Sequence, residues 1–163
     1  MYKRQPLSPY AITKSVNEMY ASVFSQIHGF AVIGLRYFNV FGRRQDPEGV
    51  YAAVIPKFVE SLINKKSPTI HGDGEQTRDF IHVNDVVDAN IFCMNVEDNF
   101  NGEIIDVGVG IDTSLRKIKF YIDQTNDISW IERPQRTGDI KNSKSNPTKL
   151  INLGWKPKVS IEK

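Results

Sequence analysis

The sequence of 163 residues holds one cysteine, Cys93. A single thiol excludes an internal disulfide and any all-cysteine zinc site, and it fits a reducing cytoplasm, the compartment expected here. No apolar run approaches the roughly 18 residues needed to span a bilayer, so no membrane partner is expected. The opening Met-Tyr-Lys-Arg-Gln-Pro lacks the apolar stretch of a secretion signal. Charge of one sign is scarce too. Lys and Arg number 21 against 19 Asp and Glu, a formal net charge of +2. Such a balance exerts no long-range pull on nucleic acid or anionic lipid. No arginine-rich arm or aromatic–basic stripe argues for a nucleic-acid partner. His28, His71 and His82 show no metal-ligand spacing, and no metal is expected.

What remains is ordinary globular material of about one domain's length, with a 40% hydrophobic composition that can furnish a core. Ile12, Val16, Met19, Tyr20, Val23, Phe24 and Ile27 recur at three- and four-residue steps. They predict one face of a helix over 9–27, with Ser8 as N-cap, Pro9 at the first helical position and Gly29 as the stop. The short apolar run 30–38 predicts a strand buried on both faces, hence a parallel sheet, with 39–42 leaving it as a loop. A helix is expected from near Pro56 to Asn64. Short strands are expected at 69–71 and 80–83. Asn84 or Asp85 can cap a helix to about Val96, followed by a strand over 103–109. Ser114 can cap a helix through Ile122. A strand at 128–131, a polar stretch over 132–146 and one or two helical turns at 147–153, closed by Gly154, complete the chain. Strands alternating with helices make the class α/β.

Several side chains could carry chemistry. Tyr10 and Lys14 are four residues apart, so they share a helix face with about 5–6 Å between β-carbons. A nearby ammonium favours the phenolate and lets a tyrosine act as a base. On the pair alone, a tyrosine flank beside a solvated lysine is the favoured reading. Arg78 and Arg136 each present a planar fork suited to phosphate, and each, with Asp79 or Asp139 nearby, also fits a surface salt bridge. Cys93 falls on an apolar helix face and reads as inert core. Gly72-Asp73-Gly74 reads as a turn, since no helix follows at once. Lys141, Lys144 and Lys149 read as a solvated face.

Four motifs in collinear order carry a more specific message. Ser-Pro-Tyr-Ala-Ile-Thr-Lys (8–14), Leu-Arg-Tyr-Phe-Asn-Val-Phe-Gly (35–42), Gly-Asp-Gly-Glu-Gln-Thr-Arg-Asp-Phe-Ile-His-Val (72–83) and Arg-Thr-Gly-Asp (136–139) resemble the extended short-chain dehydrogenase/reductase family, in its NAD-dependent epimerase/dehydratase branch. The nearest look is to UDP-hexose 4-epimerases. Residues 43–56 are especially similar to the UDP-N-acetylglucosamine 4-epimerases of bacterial surface-polysaccharide pathways. The resemblance implies the C-terminal portion of a doubly wound, Rossmann-like parallel sheet plus a small α/β substrate-binding domain. It implies NAD as cofactor and a UDP-sugar as substrate. Tyr10 would be the catalytic base, Lys14 would bind the nicotinamide ribose, and Phe38 would lie at the nicotinamide. Asn39, Arg78 and Arg136 would hold the diphosphate. Ala53, Val54, Thr69, Ile70 and His71 would line the uridine side, and Asp139 its ribose. Ser143 matches a position beside the sugar, where a small residue admits an N-acetyl group. The helix carrying Tyr10 packs in a dimer's helical bundle in relatives, so a homodimer is expected.

The resemblance is also incomplete. The family opens with a glycine-rich dinucleotide fingerprint at a strand–helix junction, and no G-x-x-G-x-x-G occurs here. The chain looks like the second half of such an enzyme, with residues 1–50 a remnant of the dinucleotide domain. Residues 51–163 would be mainly substrate-binding, with a segment near 80–110 returning to the Rossmann-like sheet. Alone it is expected to lack activity, and the strand at 30–38 is expected to present an apolar edge prone to association. A nucleotide-sugar 4,6-dehydratase or UDP-glucuronate decarboxylase fragment, or a non-catalytic UDP-sugar-binding module, are the competing expectations.

Overall fold

In a computed structural model describing residues 9–49, 53–97, 100–124, 128–136 and 138–162, the elements alternate as the sequence predicts. They are α1 (Pro9–His28), β1 (Val32–Tyr37), β2 (Asn39–Phe41), α2 (Val54–Ile63), β3 (Thr69–His71), β4 (Thr77–His82), α3 (Val83–Asn95), β5 (Asn101–Val107), β6 (Asp112–Ser114), α4 (Leu115–Ile122), β7 (Ile131–Arg133), β8 (Asn142–Ser143) and α5 (Thr148–Asn152).

Helix α1 ends where Gly29 takes a φ of +67° and its N–H donates to Ser25 O at 2.9 Å, the left-handed stop that glycine adopts without a Cβ penalty. The expected N-cap, Ser8, lies outside the described residues. The apolar stripe of α1 is not its packed face. Ile12, Met19, Tyr20, Val23, Phe24 and Ile27 are exposed, and the buried residue is Ser25, whose hydroxyl donates to Phe30 O at 2.9 Å. The small-residue side meets the sheet instead. A Cβ on Gly102 of β5 would fall 2.5 Å from the Ser22 Cα.

Strands β1 and β5 pair in parallel. The apolar run then divides. Phe38 N still donates to Val107 O at 3.1 Å, but Asn39–Phe41 diverge to pair in parallel with Phe80–His82 of β4. The loop expected at 39–42 is thus a strand over most of its length, because its backbone groups find partners on β4. Strand β4 is the hub: β6 joins it antiparallel and β8 in parallel, while β3 and β7 form a separate parallel pair.

Boundaries shift where caps and pairing decide them. Helix α2 starts at Val54, two residues before the expected Pro56, which the first turn tolerates because its missing N–H has no intrahelical role there. Helix α3 is capped by His82, whose Nδ1 accepts from Asn84 N at 3.2 Å, not by Asn84 or Asp85. Asp85 instead accepts from Lys158 N and Val159 N, both at 3.0 Å. Helix α4 has the expected cap: Ser114 Oγ accepts from Lys117 N at 3.2 Å. The strand expected at 128–131 is Ile131–Arg133, and the polar stretch 132–146 contains β8.

The core forms two clusters. One gathers Ile81, Ala89, Cys93, Ile105, Val107, Leu150 and Trp155; the other gathers Phe58, Ile70, Phe80, Leu115 and Ile118. Adjacent residues of β4, Phe80 and Ile81, belong to different clusters, as strand alternation requires. Strand β4 is therefore the wall between them.

Candidate functional site

A cavity of about 540 Å³ opens on the Phe80 side of β4, with Phe58, Phe80 and Leu115 at its apolar base. Alternation puts Arg78 on the same face as Phe80, and Arg78 lines the cavity. Its Nη2 donates to Asp139 Oδ1 at 2.5 Å, and its Nη1 donates to Thr77 O at 2.8 Å and Lys141 O at 3.4 Å. Its own strand and the loop before β8 thus fix the guanidinium before any ligand arrives. Arg136 and Asp139 share a turn in which Asp139 N donates to Arg136 O at 3.2 Å and Gly138 takes a φ of +80°. Both side chains line the cavity, with Arg136 exposed.

The opposite wall comes from β3 and α2. Thr69 and His71 face the cavity. Ile70, between them, turns into the second core cluster and is 5% exposed, so its side chain is not part of the lining. The His71 ring lies 3.3 Å from Pro134 O, and its carbonyl accepts from Gln76 Nε2 at 2.5 Å. Ala53 and Val54 line the cavity where α2 begins, and the N-cap residue, Ala53, has no side-chain cap. The first N–H groups of α2 and the positive end of its dipole therefore stand at the site, ready for a ligand oxygen. Asn39 enters from β2, its Nδ2 donating to Asp79 O at 3.2 Å. Ser143 stands opposite Arg78 in the β4–β8 pairing rather than in the lining.

Tyr10, Lys14 and Phe38 lie outside this cavity. Lys14 Nζ sits 5.2 Å from the centroid of the Tyr10 ring, so the two share one face of α1 and make a cation–π contact. One turn on, Glu18 holds Arg36 of β1 in a two-point ion pair, and Arg36 Nη1 reaches Asp106 Oδ1 of β5 at 3.5 Å. The hydrogen bond to Glu18 pushes the Arg36 pKa up from its ordinary value, ahead of the opposing effect of burial. This clamp sets the register of α1 against the sheet. Tyr10 lies eight residues before Glu18, about 12 Å along the axis, and Phe38 two residues beyond Arg36. Since α1 and β1 are joined by a short connection, both face the C-terminal end of β1, where open α/β sheets hold ligands. Asn39 lies at that same end.

Sequence reasoning did not single out Lys57, Glu60, Ser61 or Gln76, which also line the cavity. The 57/60/61 spacing on a helix could have marked one polar face. The surface salt bridge that the sequence allowed between Arg78 and Asp79 does not form: Arg78 pairs with Asp139, and Asp79 is a wholly buried carboxylate directly behind it. Outside the site, burial raises the Cys93 thiol above its ordinary pKa, in keeping with an inert core cysteine. No described helix is long and apolar enough to cross a membrane.

Comparison with known proteins gives a consistent result. The model of the NAD dependent epimerase/dehydratase family matches residues 2–108. The structure of UDP-N-acetylglucosamine 4-epimerase from Methanobrevibacter ruminantium M1, in complex with UDP-N-acetylmuramic acid, superimposes with a TM-score of 0.89 at 38% identity, covering 97% of this chain and 52% of that one. The Thermus thermophilus UDP-glucose 4-epimerase in complex with NAD gives a TM-score of 0.84 at 33% identity, covering 97% of this chain and 50% of that one. The human dTDP-D-glucose 4,6-dehydratase is 32% identical over 166 residues, covering 96% of this chain and 45% of its own length. The chain therefore spans about half the length of the proteins it matches, and its fold is the Rossmann-like α/β arrangement of those structures. With a family model matched over most of its length, the chain belongs to the NAD-dependent epimerase/dehydratase family.

Proposed function

We propose that this chain is the nucleotide-sugar-binding half of an NAD-dependent UDP-N-acetylhexosamine 4-epimerase of surface-polysaccharide synthesis, working in the cytoplasm. The single observation that carries the reading is the convergence of Asn39, Val54, Thr69, Arg78, Arg136 and Asp139 on one cavity, although they are spread over a hundred positions of sequence. Arg78, Arg136 and Asn39 hold the diphosphate. The head of α2, with Thr69 and His71, receives the uridine. Asp139 meets the ribose, sharing itself between a ligand hydroxyl and Arg78. Ser143 leaves room for an N-acetyl group.

Tyr10 and Lys14 fit one flank of a nicotinamide cofactor, because an ammonium held against an exposed phenol suits both a ribose hydroxyl and the removal of a proton. When bound, NAD supplies reversible hydride acceptance at the sugar. The chain's own task would be to orient the sugar and to take the proton of its 4-hydroxyl on the Tyr10 phenolate oxygen. The exposed apolar face of α1 supports association into a homodimer. Sedimentation velocity at low micromolar concentration should show a dimer, and a monodisperse monomer would remove that part of the reading.

The similarity to a dTDP-sugar dehydratase supports a second reading, a 4,6-dehydratase fragment. Calorimetric titration with UDP-N-acetylglucosamine, dTDP-glucose and NAD⁺, each alone, tests both. Preference for the UDP-sugar is the expected result. Preference for dTDP-glucose favours the dehydratase, and binding of neither rejects the cavity as a nucleotide-sugar site.

A further inference from the structure

We infer that Asp79 is a positioning residue that sets the sugar end of the site, by tying the segment carrying Ser143 to the strand carrying Arg78; the inference rests on the nucleotide-sugar reading above. Asp79 is 0% exposed, and a carboxylate is buried only at high cost unless its oxygens are satisfied. Here they are satisfied entirely by loop groups. Oδ1 accepts from Val109 N at 2.9 Å. Oδ2 accepts from Gly110 N at 2.9 Å, Ser145 N at 3.2 Å and Ser145 Oγ at 2.5 Å. Charged acceptors make the stronger hydrogen bonds, so four of them on one side chain form a stiff knot.

The knot joins the loop after β5 to the segment after β8. Ser145 is two residues from Ser143, and Ser143 is opposite Arg78, the residue directly before Asp79. A second carboxylate continues the fastening. Asp106 Oδ2 accepts from Asn146 N at 3.1 Å, while its Oδ1 meets Arg36, which holds Glu18 of α1. Residues 142–146 are thereby pinned at three successive points: pairing with β4, the Asp79 knot and Asp106. Space around the knot is minimal, since a Cβ on Gly108 would fall 2.6 Å from Ser145 Cβ and 3.0 Å from Asp79 Oδ2. None of these groups lines the cavity. Their effect on a ligand passes through where Ser143 and the backbone next to Arg78 are placed.

The variants Ser145→Ala and Asp79→Asn of the 163-residue chain test this, with dissociation constants for UDP and for UDP-N-acetylglucosamine measured alongside thermal unfolding. Ser145→Ala removes the hydroxyl that donates to Asp79 and accepts from Gly110 N. The sugar nucleotide should then bind about tenfold more weakly, while UDP changes by less than about threefold, so the ratio of the two constants moves. Asp79→Asn should shift that ratio in the same direction and further, because an amide nitrogen cannot accept from the donors around it. If Asp79→Asn does not fold, Ser145→Ala carries the test alone. A merely structural role lowers the melting temperature and moves both constants together or neither, and either result overturns the inference while leaving the nucleotide-sugar reading intact. Failure of the unaltered chain to bind either ligand overturns both.

Discussion

Replacing Arg78 by alanine probes the site at its most charged point. The side chain is only 18% exposed, and Asp139, its partner at 2.5 Å, is 25% exposed. Removing the guanidinium does three things. On the proposed reading it takes a charged donor from the diphosphate and leaves the Asp139 carboxylate facing that diphosphate without a counter-charge, and it strips a donor from Thr77 O and Lys141 O. Truncating the protein's partner in a hydrogen-bonded charge pair formed with a ligand costs about 2–5 kcal/mol of binding. That is a loss of about thirtyfold to a few thousandfold in affinity for UDP. Stability should change far less, by about 1 kcal/mol, because the pair retains contact with water. Arg78→Lys keeps the charge but not the fork and should fall between the two. Calorimetric titration with UDP, after unfolding curves confirm that each variant folds, reads these values. A dissociation constant for Arg78→Ala within about twofold of the unaltered chain would refute the assignment of Arg78 to the diphosphate.

Three further outcomes are expected. Gly108→Ala should lower stability by about 1–3 kcal/mol, because its Cβ would crowd the Ser145 side chain; urea unfolding with an unchanged midpoint would show that the loop yields without cost. Ser143→Tyr should weaken UDP-N-acetylglucosamine relative to UDP-glucose by about 1–3 kcal/mol, and equal weakening of both sugars would reject the steric role. Cys93, buried and with its thiol pKa raised by burial, should hold less thiolate at any given pH than an ordinary cysteine. A thiol reagent at about pH 8, near the ordinary thiol pKa, should therefore label it far more slowly in the native chain than in denaturant, and equal rates would place it at the surface.

The helices are legible because each carries its own signal. Helix α4 begins just after the residue whose hydroxyl caps it, and α1 runs from its proline to its glycine stop. Periodicity says which residues share a face but not what covers that face, so the stripe of Met19, Val23 and Ile27 reads as core yet is exposed, while Ser22 and Ser25 meet the sheet. Strands β2, β6 and β8, two or three residues each, exist through β4 and have no periodic signature of their own. The strand at 30–38 is visible as an apolar run, but its division at Phe38 depends on two different partners, β5 and β4.

The site shows the same division. Arg78 and Asp139 are 61 residues apart and meet only through the fold; the family motifs, not spacing, bring them together beforehand. Ile70 belongs to β3, whose alternate residues face the cavity, and strand alternation sends it into the core. The joint role of Asp79 and Ser145 leaves no trace in the sequence, because a buried polar knot is made of short polar residues that look like loop residues until their donors and acceptors are paired.

A crystal structure of the chain grown with UDP-N-acetylglucosamine would show where the nucleotide sugar sits. The diphosphate is expected between Arg78, Arg136 and Asn39, the uracil at the head of α2 and the sugar beside Ser143. Density for the nucleotide anywhere else, with the β4 cavity filled by solvent, would contradict this placement.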